Sequence, residues 1–175
     1  MIKNPFTNYM HIALEEARAA ADRGEVPVGA ALVHGPSGCV LSQAGNRTEQ
    51  DNDPTAHAEI IVIKAAALKL GSPRLVDCDM YVTLEPCAMC AAAISFARIK
   101  RLYYGASDPK SGGVEYGIRF FNQATCHHAP EVYDGLDASE SSIILKSFFS
   151  MRRKTKPIDR HSTALKRVGL KGYDH

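Results

Sequence analysis

Two short segments of the chain carry side chains that can bind a metal ion. His57 and Glu59 lie two residues apart, and Cys87 and Cys90 lie three apart, directly after Pro86. One imidazole and two thiolates can hold a zinc ion while its fourth position stays open for water, as in catalytic zinc sites. Glu59 is then left to move protons. The pattern predicts one Zn²⁺ per chain and a hydrolytic enzyme that attacks an electrophilic carbon with zinc-activated water.

The local spacing supports separate roles for the ligands and the carboxylate. Cys87 and Cys90 share one face if they lie in the first turn of a helix, where the pKa of a thiol is also lowered. His57 is predicted in the first turn of an earlier helix, and the strand between the two helices can bring both starts to one end of a sheet. Glu59 is too close in sequence to His57 to point the same way, which suits a general base that later acts as a general acid.

Two alternatives to a catalytic site remain open at this point. A closed zinc site that only stabilises the fold would need a fourth ligand, and none of the candidates has a short, regular spacing from the others. These candidates are Cys78, Cys126, His127 and His128. The second alternative, that Cys87 and Cys90 are ordinary core residues, leaves Glu59 and Pro86 unexplained. We therefore favour the catalytic interpretation.

Hydrophobic periodicity and turn residues predict four helices and five strands. Apolar residues recur at helical spacing over residues 10–21, with Thr7 or Asn8 as the cap and Gly24 at the end. A turn at residues 35–38 joins the first two strands into a hairpin. Thr55 is predicted to cap the second helix, which Gly71 ends. The remaining predicted elements are helices at about 87–97 and 137–153 and strands at 28–34, 39–44, 79–84, 101–106 and 132–133, with 107–130 unassigned.

This order of elements predicts one sheet with helices on its faces. The crossover between the third and fourth strands should make that pair parallel. A chain of 175 residues fits a single domain, and its hydrophobic fraction of 45% is ordinary for a globular protein. No apolar run approaches the ~20 residues of a membrane span, and Glu15 and Glu16 interrupt the only apolar stretch near the N-terminus. We therefore expect no membrane association, a cytoplasmic location and five unpaired cysteines.

Charge is distributed unevenly along the chain. Residues 146–175 hold nine Lys or Arg and two Asp or Glu, a net charge of +7, so the preceding residues carry −5. A basic end on an acidic body indicates either a polyanionic partner or a solvated tail. We assign residues 1–156 to the zinc-binding domain and residues 157–175 to a basic tail that we expect to be disordered.

The zinc pattern alone matches the signature of nucleobase deaminases in general. Longer runs surround it: 25–30 (EVPVGA), 46–47 (NR), 53–59 (DPTAHAE), 81–90 (YVTLEPCAMC) and 108–110 (DPK). Together these runs resemble the bacterial tRNA-specific adenosine deaminases, which convert wobble adenosine to inosine, and the resemblance covers roughly residues 8 to 153. It implies the cytidine-deaminase-like fold, a three-layer α/β/α arrangement around a five-stranded mixed sheet, and a homodimer.

The resemblance also implies roles for residues that carry little signal alone. It implies that Asn46 hydrogen-bonds the flipped nucleoside and that Val28 packs against the base, although an Asn at this point is usually a turn residue. It implies that Asp108 and Lys110, otherwise an exposed turn, contact anticodon nucleotides. The same resemblance gives a stacking role to Phe149, otherwise a core residue, and phosphate-binding roles to Arg152 and Arg153.

The predicted reaction is attack at C6 of the wobble adenine (position 34) of a tRNA anticodon stem-loop, with Glu59 moving the protons. One rival keeps the chemistry but changes the substrate to a free nucleoside, nucleotide or base of the cytosine or guanine type. A second rival is a binding module with structural zinc. The basic C-terminal region and the segment 108–110 favour RNA over the first rival, and Glu59 argues against the second.

Overall fold

Nine regular helices and strands build the described part of the molecule. The structure is a computed structural model that describes residues 8–154. The predicted cap at Thr7 and the predicted tail at 157–175 lie outside these residues. The elements are α1 (Met10–Asp22), β1 (Gly29–His34), β2 (Cys39–Gly45), α2 (Ala58–Leu70), β3 (Cys78–Leu84), α3 (Ala88–Phe96), β4 (Arg101–Ala106), β5 (Glu131–Tyr133) and α4 (Ala138–Lys154), with a short 3-10 helix at Phe120–Asn122.

The five strands form one mixed sheet in the order β2-β1-β3-β4-β5. β1 is antiparallel to both β2 and β3, whereas β4 is parallel to both β3 and β5. The predicted hairpin, the parallel crossover and the short fifth strand are therefore confirmed. The parallel strands β3 and β4 both end at the edge of the sheet where the second and third helices begin.

Helices cover both faces of the sheet, which confirms the predicted three-layer α/β/α fold. Alternation along β3 separates the two cores: Met80 and Val82 pack into the larger cluster with α2 and α3, while Tyr81 packs into the smaller one with α1. α4 lies beside α1 on this second face, against β4. No helix within residues 8–154 is long and apolar enough to cross a membrane.

Both helices that carry predicted metal ligands begin one or more residues later than expected. Thr55 does not cap α2, because its backbone N–H and its hydroxyl both donate to Asp53 Oδ1, at 2.8 and 2.7 Å. α2 begins at Ala58 instead, so His57 is its N-cap residue with extended backbone (φ −72°, ψ 150°). Cys87 is likewise the N-cap residue of α3 (φ −69°, ψ 174°). The prediction that these two ligands lie inside the first helical turn was therefore wrong.

The C-terminal helix turns only some of its apolar residues toward the core. Phe148 is buried in α4, but Ile144 is only half-buried and Ile143 is 63% exposed. Ser141 is also buried and packs so close to β4 that a Cβ on Gly105 would come within 2.4 Å of its hydroxyl. The apolar residues of α4 therefore do not all face the core.

Candidate metal centre and active site

The two ligand segments meet to form a compact cluster of three donor atoms. His57 Nδ1 lies 3.7 Å from Cys87 Sγ and 3.5 Å from Cys90 Sγ, and the ligand atoms of the three residues lie within 4.8 Å of one another. Tetrahedral zinc with Zn–S near 2.3 Å and Zn–N near 2.0 Å separates its ligand atoms by about 3.6 Å. The cluster therefore has the donor types and the size that zinc requires.

The local backbone explains how residues thirty positions apart reach one point. His57 and Cys87 occupy equivalent places, each as the extended N-cap residue from which a helix starts. Cys90 follows Cys87 by three residues and returns to the same side of α3. β3 leads directly into the second segment, so the start of α3 is fixed by the centre of the sheet.

Hydrogen bonds within the cluster favour the thiolate form of Cys87, the form in which a cysteine binds a metal. The pKa of the Cys87 thiol falls to about 4, mainly because the Cys90 thiol hydrogen-bonds to it and secondarily through His57. The pKa of Cys90 is raised because it shares that hydrogen bond and is buried. The pKa of His57 is also raised, chiefly by its hydrogen bond with Cys87. A bound cation would displace these protons and favour two thiolates and a neutral imidazole.

Glu59 lies beside the ligands but outside the three-atom cluster. Its side chain is 3% exposed and sits in the first turn of α2. Burial raises the pKa of this carboxyl, against the opposing effects of its own backbone N–H, His57 and the Cys90 thiol. A desolvated carboxyl with few hydrogen bonds holds a proton more readily than an exposed one, which suits a general acid–base group.

Within residues 8–154, none of the alternative ligands joins the cluster. His128 is 2.7 Å, through Nε2, from the Ile99 carbonyl, and Cys126 lies 3.5 Å from the Ser95 hydroxyl. Cys78 is buried at the other end of β3, where burial raises its pKa to about 11. The three-ligand arrangement therefore keeps a position open for water, as a catalytic site requires.

Asn46 and Val28, the two predicted base contacts, lie next to the start of α2. Asn46 is buried, its backbone N–H donates to the Val28 carbonyl at 2.9 Å, and its Oδ1 accepts the Ala58 N–H at 3.0 Å. The side chain thus caps the helix from twelve residues away, a role that sequence analysis missed. Its Nδ2 has no hydrogen-bond partner within the described residues and remains available as a donor.

Four of the other predicted RNA contacts line a single groove of about 510 Å³ between the β4–β5 connection and α4. Asp108 and Lys110 form one wall, and Phe149 and Arg153 form the other. Phe149 is 42% exposed, so its ring is accessible. The complete lining is Val26, Leu84, Ser107, Asp108, Lys110, Ser111, Leu145, Lys146, Phe149 and Arg153.

Two arginines that are adjacent in sequence have different surroundings. Arg153 lines the groove, whereas Arg152 does not. The Arg152 guanidinium donates to the Gly24 carbonyl at 3.2 Å and lies 5.0 Å from the centre of the Phe148 ring. Lys146 is a groove residue that sequence analysis missed. It could have been found, because Lys146, Phe149 and Arg153 have the helical spacing that places them on one face.

Two further buried glutamates were also missed. Glu25 accepts hydrogen bonds from the Thr48 hydroxyl and from the N–H groups of Glu49 and Gln50. Glu85 accepts four backbone N–H bonds from the segment 108–116. The only signal in the sequence is a charged residue in an apolar context, as in Thr83-Leu84-Glu85-Pro86.

The family model and the sequence relatives identify the family of this chain. The family model described as the cytidine and deoxycytidylate deaminase zinc-binding region matches residues 4–106. A tRNA-specific adenosine deaminase of Agrobacterium fabrum is 62% identical over 147 residues, which cover 84% of this chain and 95% of that protein. A tRNA-specific adenosine deaminase of Bacillus subtilis is 39% identical over 148 residues, covering 85% and 91% of the two chains.

Of two similar solved structures, one resembles this chain in both sequence and fold, and the other in fold only. A structure from a study of A-to-I editing by tRNA:A34 deaminases at the wobble position of transfer RNA has a TM-score of 0.76 and 64% identity, covering 78% of this chain and 98% of that one. A guanine deaminase from Nitrosomonas europaea has a TM-score of 0.71 but only 22% identity, covering 81% and 82%. The second likeness reflects the fold alone.

Proposed function

This chain belongs to the cytidine and deoxycytidylate deaminase family and, within it, to the tRNA-specific adenosine deaminases, and from this premise we propose how its residues carry out the reaction. The protein is a zinc-dependent hydrolase that deaminates adenosine to inosine at wobble position 34 of tRNA. The observation that carries this function is a buried carboxylate, Glu59, beside a three-ligand zinc cluster with an open position.

We propose that His57, Cys87 and Cys90 hold the zinc ion. When bound there, zinc supplies Lewis acidity that lowers the pKa of water. Glu59 removes a proton from the attacking water as its oxygen bonds to C6 of adenine. It delivers that proton to the ring nitrogen N1, then takes the remaining proton from the new C6 hydroxyl and passes it to the amino group. The C6–N bond breaks, ammonia leaves and the C6 carbonyl of inosine forms. The raised pKa of the buried carboxyl suits both halves of this proton transfer.

The base is proposed to enter beside the start of α2. Asn46 has its Oδ1 committed to the Ala58 N–H, which fixes the orientation of the amide and turns Nδ2 into a donor of fixed direction. We propose that this donor binds the flipped nucleoside and that Val28 packs against the base. Flipping costs little at an anticodon because the wobble base is in a single-stranded loop.

The groove between 107–111 and α4 is proposed to hold the neighbouring anticodon nucleotides. Phe149 offers a stacking surface, and Lys110, Lys146 and Arg153 surround it with positive charge. Asp108 forms the turn from which Lys110 projects, since its Oδ1 accepts the Lys110 N–H at 3.1 Å. We propose that the basic residues within 157–175, a segment outside the described residues, add to this electrostatic attraction for the RNA backbone.

We propose a homodimer formed through the layer of α2 and α3. Neither helix has an ordinary polar face: α3 has no charged residue, and α2 has only Glu59, Lys64 and Lys69. Leu68 is 84% exposed and Phe96 is 73% exposed in the single chain. Helices that are apolar all round are normally buried, and a second copy of the chain would bury them.

The dimer has a direct test by sedimentation. Phe96→Glu should shift the protein from dimer to monomer, whereas Ile143→Glu, which alters another exposed apolar residue, on α4, should leave the dimer intact. A monomeric wild-type protein would refute the proposed assembly.

We propose that the protein acts in the cytoplasm, where its tRNA substrate is found. This location also suits its five free cysteines.

The substrate is tested by comparing an anticodon stem-loop that carries A34 with free adenosine, cytidine and guanine. We expect inosine from the stem-loop and negligible turnover of the free compounds, because only the RNA can use both the zinc centre and the groove. A stem-loop with guanosine at position 34 provides the matched control for binding without reaction. Turnover of guanine or cytidine without turnover of the stem-loop would favour the free-base or free-nucleoside alternative.

A further inference from the structure

Glu85 is a buried carboxylate that the proposed reaction does not use. It is 2% exposed and lies between the end of β3 and Pro86, two residues before the zinc ligand Cys87. Its Oε2 accepts the Asp108 N–H at 2.9 Å. Its Oε1 accepts three more backbone N–H groups, from residues 114, 115 and 116, at 3.2, 2.9 and 3.1 Å. Both carboxylate oxygens are thus used to bind one loop.

The same loop is attached to the ligand segment by its backbone. The Gly113 N–H donates to the Pro86 carbonyl at 2.8 Å, and Gly112 forms a β-bridge with Cys87. The approach is close enough to require glycine. A Cβ on Gly112 would lie within 2.4 Å of the Glu85 carboxylate, and one on Gly113 would lie within 2.6 Å of the Ala88 nitrogen.

The other side of this loop is the wall of the groove. Ser107, Asp108, Lys110 and Ser111 all line it. The Asp108 carboxylate accepts the N–H groups of Lys110 and Ser111, both at 3.1 Å, which closes the turn. The contacts therefore run without a break from the Cys87 segment through Glu85 to Asp108 and on to Lys110.

We propose that Glu85 is a positioning residue for the RNA: it fixes the 108–111 turn at a set distance from the zinc ligands, so that a nucleotide bound in the groove places the adenine at the metal. Glu85 does not touch the RNA itself. This inference rests on the proposed groove and adds the element that aligns it with the reacting atoms. A purely structural Glu85 would affect stability but not the affinity of the folded protein for RNA.

Glu85→Gln is the sharpest test because it preserves size and removes one acceptor. The amide oxygen can still accept the N–H groups of residues 114–116, but the amide NH₂ then faces the Asp108 N–H, a donor against a donor. The 108–111 turn should loosen while the rest of the loop stays bound. Glu25→Gln is the matched control, since it makes the same change at a buried glutamate that binds the 48–50 loop instead.

The measurements are zinc content, thermal unfolding, amide hydrogen exchange, stem-loop Kd, and the separate values of kcat and KM. We expect Glu85→Gln to keep zinc, to speed exchange at Asp108, and to raise Kd and KM for the stem-loop about tenfold, as for the loss of one buried hydrogen bond. The value of kcat at saturating RNA should fall less than KM rises. Glu25→Gln should lower stability by a similar amount with a smaller change in KM.

Each other outcome has a definite meaning. Faster exchange at Asp108 with Kd and KM within twofold of wild type would overturn the positioning role. A wild-type protein that neither binds nor deaminates the stem-loop would instead refute the proposed function, and the positioning role with it. If Glu85→Gln fails to fold, Gly112→Ala keeps the carboxylate chemically intact but forces it and the loop apart, because the added Cβ would lie within 2.4 Å of it. This variant should also raise Kd and KM with zinc retained, and an unchanged Kd there would refute the proposal.

Discussion

Two buried glutamates mark the difference between the metal centre and the groove wall. Glu59 is desolvated, and the pKa of its carboxyl is raised by burial that only its own backbone N–H, His57 and Cys90 oppose. Glu85 is equally buried, but it accepts four backbone N–H groups. A buried carboxylate with few donors can exchange a proton, whereas one surrounded by donors acts as a fixed anchor. Burial alone therefore does not identify a catalytic carboxylate.

The same contrast extends to the surrounding regions. The metal centre consists of residues fixed at helix starts next to the sheet. The reaction proposed there transfers protons and breaks a C–N bond. The groove is shaped by a turn and by one face of α4, and its proposed role is to bind RNA. Substitutions in the first region should therefore alter turnover, whereas substitutions in the second should alter affinity and its dependence on salt.

The largest effect is expected from Cys87→Ala, which removes a zinc ligand. This variant should lose zinc, lose detectable turnover and unfold at a lower temperature, because the metal ion links the starts of α2 and α3. Metal analysis, inosine formation and thermal unfolding measure the three effects. Cys39→Ala, at an exposed cysteine outside the cluster, is the control. Retention of stoichiometric zinc by Cys87→Ala would contradict the ligand assignment.

Glu59→Ala should separate chemistry from folding. We expect kcat to fall by about 10²- to 10⁴-fold, the usual contribution of a general acid–base group, while zinc content and stem-loop Kd stay near those of wild type. Single-turnover deamination measures the chemical step directly. Near-normal turnover in this variant would require a different base and would remove the contrast between Glu59 and Glu85.

Phe149→Ala should weaken binding with less effect on the chemical step. Stacking of one base on an aromatic ring contributes about 1–3 kcal/mol, so the stem-loop Kd should rise between about 5- and 150-fold. Kd can be measured by fluorescence anisotropy on a labelled stem-loop. Ile143→Ala changes an exposed apolar residue of the same helix that lies outside the groove, and it should bind normally. Equal Kd values for the two variants would argue against stacking on Phe149.

The smallest effect separates the two neighbouring arginines. Arg153→Ala should reduce the slope of log K against log salt by about 0.7, the value for one phosphate contact on a single strand. Arg152→Ala should change that slope less but lower the free energy of unfolding by about 1 kcal/mol, through its contacts with Gly24 and Phe148. Salt titration of Kd and chemical denaturation test the pair. The opposite pattern would place Arg152, not Arg153, on the RNA.

Much of the fold could be predicted because its signals are local. Apolar periodicity located α1, the turn at 35–38 located the first hairpin, and strand β4 was predicted with the bounds that the structure has. The helix starts were less predictable. Thr55 is a residue type that often caps helices, but here it hydrogen-bonds to Asp53. The side chain that accepts the first N–H of α2 is that of Asn46. The unassigned segment 107–130 contains turns and one short 3-10 helix.

The sequence by itself determined which residue types could bind a metal. Metal ligands are few residue types at short spacings, so His57, Cys87 and Cys90, which the structure brings together, could be named without coordinates, and Glu59 could be proposed beside them. Tertiary structure alone decided how the wall of the groove is held and which charges face the groove. The Glu85 anchor, the Asn46 cap and the separation of Arg152 from Arg153 depend on contacts between residues far apart in the chain, and no local pattern specifies which buried donors will meet which acceptors.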